Sequence, residues 1–310
     1  MPSDFSIKIF GCRGSFPVAG AGHQRYGGAT SCVVVRAGDR EIALDAGTGI
    51  VGYGNELVQR FASTGEPIDA YVFFTHLHLD HVIGVPFFAP MYIESATVNL
   101  WGPRMGPHGS FGEAMEGFFA PPFFPVPFHE MNAVKTLNDI GEVHSVFFVK
   151  GQREPVVLRA GHPSERDLAP DVADCDLVVR CMRGYNHPKS GVLLYKVECG
   201  DRSVVYATDT EGYVQGDRRL ENFAQGADVL IHDAMYTSGR YVSMPAPPQG
   251  YGHSTVEIAA GVAERADVSK LVLFHHDPGA SDDDIDTLEA LGKAAFSNTV
   301  AARDGLVIDI

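Results

Sequence analysis

An α/β fold is predicted by three observations. Short apolar, β-branched runs bounded by Gly, Pro and Asp recur along the whole chain. In the second half these runs alternate with segments of helical pattern. No fixed-period repeat, low-complexity tract or polar linker divides the 310 residues. One domain over residues 1–310 is therefore expected, and 45% hydrophobic content supplies a large core.

The first strands are "FSIKIFG", which alternates, "SCVVVRAG", which is β-branched, and "REIALDAGTG", which runs into a loop. "GIVGYGNELVQRFAST" has a helical pattern, "DAYVFFTH" reads as a buried strand, and "TVNLWGP" as another. Residues 103–130 are dense in Pro, Gly and Phe and are expected to form a long structured loop, an insertion without regular elements. Strands follow at "HSVFFVKG", "PVVLRAG", "CDLVVRCMRGYNHP", "GVLLYKVECG" and "SVVYATDT". Helix "RRLENFAQGA", strand "DVLIHDAMY", helix "STVEIAAGVAERA" and strand "KLVLFHH" then alternate. "DDDIDTLEALGKAAFSN" closes as a helix, with Asp-rich capping at its start.

Lys plus Arg number 24 and Asp plus Glu 39, a formal charge of −15. Such a chain repels phosphate backbones, so a long nucleic acid is not the expected partner. The five cysteines include no C-x-x-C pair, which argues against a disulfide framework or a thiolate zinc cluster. No signal peptide and no apolar run of membrane-spanning length is visible. The expectation is a cytoplasmic protein without membrane association.

The chemistry concentrates in "THLHLDH", which follows the apolar run Tyr71–Phe74. His76 and His78 lie two apart, so extended geometry sends both to one side. Asp80 and His81 follow on the turn. One ion cannot easily use four side chains from so short a segment, whereas two neighbouring ions can share them. Imidazole and carboxylate without sulfur suit zinc, manganese or iron(II). Further ligands should lie at other strand exits. His187, Asp209 and His275 each follow an apolar run.

"THLHLDH" resembles the signature of the metallo-β-lactamase superfamily. "IFGCRGSFP", "LDAGTG", "YATDT", "ADVLIHDAMY" and "GHSTVEIAAGVAERADVSKLVLFHH" resemble segments of its ribonuclease Z and cyclic-nucleotide phosphodiesterase branch. The likeness runs from about residue 7 to about residue 280. It implies a four-layered αβ/βα sandwich with two divalent metal ions, zinc first, at one end of the two sheets. By resemblance, His76, His78 and His187 hold the first ion, Asp80, His81 and His275 the second, and Asp209 bridges them. His276 competes for the last position, and His275 is preferred because it directly follows the strand. Two departures stand out. Asp233 occupies a position where the branch usually has Glu, and the long glycine-rich basic arm used to clasp transfer RNA is not evident.

Two such ions about 3.5–4 Å apart can share a hydroxide and clamp a phosphoryl group. Asp80 belongs to this machinery, and Asp45 is expected to orient a ligand imidazole, or else to cap the turn before "AGTG". The resemblance places His253 above the metals as general acid or phosphate-oxygen donor, with Asp233 holding its tautomer. Arg180, Arg183 and Lys189 flank His187 and either neutralise a phosphate or form a solvated edge. The phenylalanines of "FGEAMEGFFAPPFFPVPF" either pack on the sheet, meet a second subunit of a homodimer, or wall the metals. The function expected is a dinuclear phosphodiesterase acting on a small diester such as a cyclic nucleotide. The alternatives are a transfer-RNA-processing endonuclease and a lactone or thioester hydrolase.

Overall fold

The computed structural model describes residues 5–104, 109–122, 124–159, 168–188, 190–213 and 216–310. The chain opens with an antiparallel meander of β1 (Phe5–Gly11), β2 (Cys32–Ala37) and β3 (Arg40–Leu44). β4 (Asp69–Phe73), β5 (Thr97–Pro103) and β6 (Val134–Ile140) then add in parallel to β3. α1 (Ile50–Thr64), α2 (Leu79–Val82) and α3 (Phe111–Phe118) occupy the connections between them.

A second sheet begins with β7 (His144–Val149), β8 (Val156–Arg159), β9 (Cys175–Gly184), β10 (Val192–Cys199) and β11 (Arg202–Ala207), all antiparallel. β12 (Val229–Asp233), β13 (Lys270–Phe274) and β14 (Thr299–Ala301) continue it in parallel. α4 (Arg218–Ala224), α5 (Ser238–Tyr241), α6 (Val256–Arg265) and α7 (Asp282–Ala295) lie among these strands in sequence. β15 (Val307–Asp309) returns to the first sheet beside β1. The orders are β15-β1-β2-β3-β4-β5-β6 and β14-β13-β12-β11-β10-β9-β7-β8.

Strands buried on both faces dictate the layering, because alternate side chains point opposite ways. Tyr71 and Phe73 pack with Ile7, Val33, Tyr195, Tyr206 and Phe274 in a core shared by the two sheets. Val72 and Phe74 turn the other way and meet Ile50, Tyr53 and Leu57 of α1. In the second sheet Val205, Leu230 and Leu271 meet Leu220 of α4, Ala259 of α6 and Leu288 of α7. Helices therefore cover the outer face of each sheet, giving the four layers expected. Among the described residues no helix is long and apolar enough to cross a membrane.

The stretch 103–130 differs from the loop expected. It contains α3, started by a capping box in which Ser110 Oγ accepts from the Glu113 amide and Glu113 accepts from the Ser110 amide. The S-x-x-E spacing is present in the sequence, but the surrounding Pro and Gly mask it. Phe111, Phe119 and Phe128 are buried against the outer face of the first sheet. These rings are taken up by the chain's own core, which is the packing alternative. β6, β14 and β15 also go unanticipated. β6 is a polar edge strand, and the other two have three residues each.

Phe111 sits against Gly102, where an added Cβ would overlap its ring. Phe111→Ala should cost about 3–5 kcal/mol of stability, read as a fall in denaturant midpoint at unchanged slope. An unchanged midpoint would show that the ring contributes nothing to the core.

Candidate metal centre

The chemistry-bearing residues hang from strand exits at one end of the two sheets. Asp45 follows β3, Thr75 to His81 follow β4, and His187 lies between β9 and β10. Asp209 follows β11, Asp233 ends β12, and His275 follows β13. This is where the parallel strands of an α/β sheet leave a crevice. Three of these residues take left-handed backbone angles, with φ of 63° at Asp45, 52° at Asp209 and 61° at His275. Each such conformation costs of order 1–3 kcal/mol in a residue with a Cβ, and all three fall on the site.

The resulting clusters are tight. One offers ligand atoms of His76, His78 and His187, and another those of Asp80, His81, Asp209 and His275, in each case within 4.8 Å of one another. Asp209 spans the two. Its Oδ1 lies 3.8 Å from His76 Nε2 and 3.7 Å from His187 Nε2, while its Oδ2 lies 3.2 Å from both His81 Nε2 and His275 Nε2. Asp80 Oδ2 is 3.1 Å from His275 Nε2 and 3.3 Å from His81 Nε2.

Neighbouring groups assign the imidazole tautomers. His81 Nδ1 donates to Asp45 Oδ2 at 2.8 Å, which leaves Nε2 as the lone-pair nitrogen facing the cluster. His76 Nδ1 donates to Thr75 Oγ1 at 3.0 Å, and that hydroxyl in turn donates to Asp45. His187 Nδ1 donates to the Gly252 carbonyl at 3.2 Å and turns Nε2 toward His78 Nδ1, 3.1 Å away. His76 Nε2 and His81 Nε2 are buried without a hydrogen-bond partner.

The electrostatics call for cations. Burial, reinforced by repulsion from His81, keeps the His76 pKa well below its usual value. Burial does the same at His78 and His187. Burial opposes ionisation of Asp80 and Asp209, yet the surrounding imidazoles hold both carboxyls below the usual range. At His81 burial opposes charge, but Asp209, Asp80 and Asp45 outweigh it and raise the pKa. Asp45, Asp80, Asp209 and Asp233 are all buried. Their formal charge of 4 × −1 equals in size the 2 × +2 of two divalent ions. Orphaned imidazole nitrogens, convergent carboxylates and the absence of sulfur donors fit such ions.

The structure thus gathers the seven residues singled out as ligands. It brings His275 to the cluster and turns His276 away, with His276 Nε2 donating to the Ala302 carbonyl at 2.9 Å. Asp45 lies behind His81, and His253 and Asp233 stand 2.7 Å apart beside His275. Arg180 is engaged by Glu198 and Arg183 by the Ser190 carbonyl. Lys189 lies outside the described residues.

Sequence reasoning missed several supporting groups. The Ser15 amide donates to Asp80 Oδ2 at 2.7 Å, and Tyr206 Oη donates to Asp45 Oδ2 at 3.0 Å. Gly14 packs on the His275 imidazole and Gly252 on His187, where any Cβ would overlap the ring. The tight "GCRGS" turn was the available signal for Ser15 and Gly14.

Two sheets between helical layers, with a buried His/Asp centre at their strand ends, define a metal-binding hydrolase of the metallo-β-lactamase fold. The chain belongs to the beta-lactamase superfamily, whose domain model matches residues 40–276. It is 30% identical to a ribonuclease Z of Shouchella clausii over 66% of this chain and 68% of that protein. Among solved structures it is similar to the metallo-beta-lactamase fold protein YhfI of Bacillus subtilis (TM-score 0.63, 19% identity, 98% of both chains). A diphosphatase of the PhnP family is likewise similar (TM-score 0.62, 14% identity, 99% of this chain and 98% of that one).

Asp209→Ala should lower the metal content from two ions per chain to one or none, as measured by elemental analysis of dialysed protein. Two retained ions would refute the bridging placement. Because His76, His78 and His187 are held below 6.5, their neutral forms persist through neutral pH. Metal affinity should therefore stay flat from about pH 8 down to about pH 6.5 and weaken only below that, in a competition titration with a chelator. A fall already complete at pH 7 would contradict this electrostatic account.

Proposed function

We propose that the chain hydrolyses a small phosphate diester, using two divalent metal ions with zinc as the first candidate and manganese or iron(II) as alternatives. The observation that carries this reading is the His253–Asp233 pair beside the metal cluster. A phosphodiester loses an alkoxide, which needs a proton, and the pair is suited to deliver one.

When bound, the two ions supply charge stabilisation and make a water acidic enough to ionise near neutral pH. His76, His78 and His187 would hold one ion, Asp80, His81 and His275 the other, with Asp209 between. His253 donates its Nδ1 proton to Asp233 Oδ2, so Nε2 carries the transferable proton. Asp233 Oδ1 accepts from the Ser254 and Met235 amides at 3.0 and 3.2 Å, which fixes the carboxylate under the imidazole. Burial opposes charge on His253, but Asp233 outweighs it and lifts the pKa to about 9. The imidazole is then protonated at neutral pH and acts on the leaving oxygen. Asp233 performs the orienting role although it is one methylene shorter than Glu.

The net charge of −15 and the engagement of Arg180 and Arg183 favour a small substrate. The name of the Shouchella clausii relative favours a second reading, a transfer-RNA-processing endonuclease with the same catalytic set. A core shared by both sheets supports a single domain over 1–310. Free cysteines at 12, 32, 175, 181 and 199 agree with a cytoplasmic setting.

The purified, metal-loaded protein should cleave bis(p-nitrophenyl) phosphate and at least one cyclic nucleotide in preference to a lactone or precursor transfer RNA. Lactone turnover without diester turnover would overturn the proposal. His253→Ala should lower kcat by about 100- to 10,000-fold with full metal content. Unchanged turnover would remove His253 from the mechanism.

A further inference from the structure

The open side of the metal cluster is bordered by apolar side chains that have no packing role. His78 is the exposed member of the ligand set, so the mouth opens there. Leu79, the next residue, is 58% exposed. Tyr185, two residues before His187, is 64% exposed, and Tyr251, two residues before His253, is 63% exposed. The backbone holds these last two at the mouth. Gly252 O accepts from His187 Nδ1, and His187 Nε2 lies 3.1 Å from His78. On the opposite edge Phe16 is 58% exposed and follows Ser15, whose amide holds Asp80.

Exposed aromatic residues scattered singly need no explanation, but a ring of them around a polar crevice does. Tyr185 is also held in place, with the Arg219 guanidinium 5.3 Å from its ring centroid and paired with Glu142. Arg180 and Arg183 are meanwhile engaged away from the cluster. The rim thus offers stacking faces where a polyanion would need cations.

On the phosphodiesterase reading of the site, we infer that Tyr185 and Tyr251, with Phe16 and Leu79, bind the organic substituent of the substrate, and that this substituent is planar, a nucleobase or an aryl ring. Stacking on an aromatic side chain contributes about 1–3 kcal/mol per base, or roughly tenfold to a hundredfold in affinity. Specificity then resides in the group carried by the phosphate, while the metal cluster handles the phosphoryl centre common to all diesters.

The test compares two esters with the same leaving group, thymidine 5′-p-nitrophenyl phosphate and methyl p-nitrophenyl phosphate, on the metal-loaded full chain. The wild type should prefer the nucleoside ester in kcat/KM. Tyr251→Ala and Tyr185→Ala should reduce that preference at least tenfold, mainly through KM, whereas Tyr251→Phe should keep it. A preference unchanged in both alanine variants would overturn the assignment. A second measurement is independent of turnover. Adenosine 5′-monophosphate should bind at least tenfold more tightly than ribose 5-phosphate by calorimetry, and the Tyr185→Ala/Tyr251→Ala double variant should lose that difference. Equal affinities in the wild type would overturn the assignment. If the wild type cleaves neither ester, the diesterase reading fails, and the calorimetric comparison alone decides whether the rim binds a planar group.

Discussion

Four carboxylates buried where two sheets meet set the constraint on which the rest of the structure depends. Removing an ionised carboxylate from water costs roughly several kcal/mol even after relaxation, so each must be answered by donors or cations. Asp45 receives His81, Thr75 and Tyr206. Asp233 receives His253 and two backbone amides. Asp80 and Asp209 face imidazole nitrogens that are themselves lone-pair acceptors in the tautomers set from behind, which only cations can reconcile. The outer pair orients and the inner pair receives, and the division follows from what each carboxylate can reach.

The backbone is bent to serve that arrangement. Asp45, Asp209 and His275 each turn left-handed just beyond a strand, so a side chain that would otherwise continue along the sheet is redirected into the crevice. The surrounding lattice holds these turns in place. The Asp45 amide donates to Phe73 O at 2.8 Å, and the His276 amide donates to Cys12 O at 3.0 Å. Arg13 is fully buried, and its guanidinium donates to the carbonyls of Gly27, Asp277 and Ala280, tying the loop after β1 to the segment after β13. Strain at the site is thereby balanced by regular hydrogen bonding around it.

Much of this was legible in the residues. Strands buried on both faces announce themselves as unbroken apolar runs, and "YVFF" and "KLVLF" do so plainly. The dense histidine motif marks its own chemistry, and His187, Asp209 and His275 are found because each ends such a run. What the pattern hides is of two kinds. Elements whose stability comes from tertiary contact leave a weak local signal, as with the polar edge strand β6 and the helix α3 inside a Pro- and Gly-rich stretch. Backbone groups leave none, so the Ser15 amide beneath Asp80 emerges only once the loop is folded. The choice between His275 and His276 is of this second kind. The two residues are chemically identical neighbours, and only the left-handed turn at His275 separates the one facing the cluster from the one facing Ala302.

The donors are also divided between the sheets. His76, His78, Asp80 and His81 hang from the first, whereas His187, Asp209 and His275 hang from the second. A cation held by both halves is therefore a rivet through the seam of the sandwich as well as a reagent. Ligands that bind only the folded chain stabilise it by mass action, by about 2.7 kcal/mol at a hundredfold excess over Kd. Metal supply then governs how long each molecule survives proteolysis, so a cell short of metal would lose the protein itself along with its turnover.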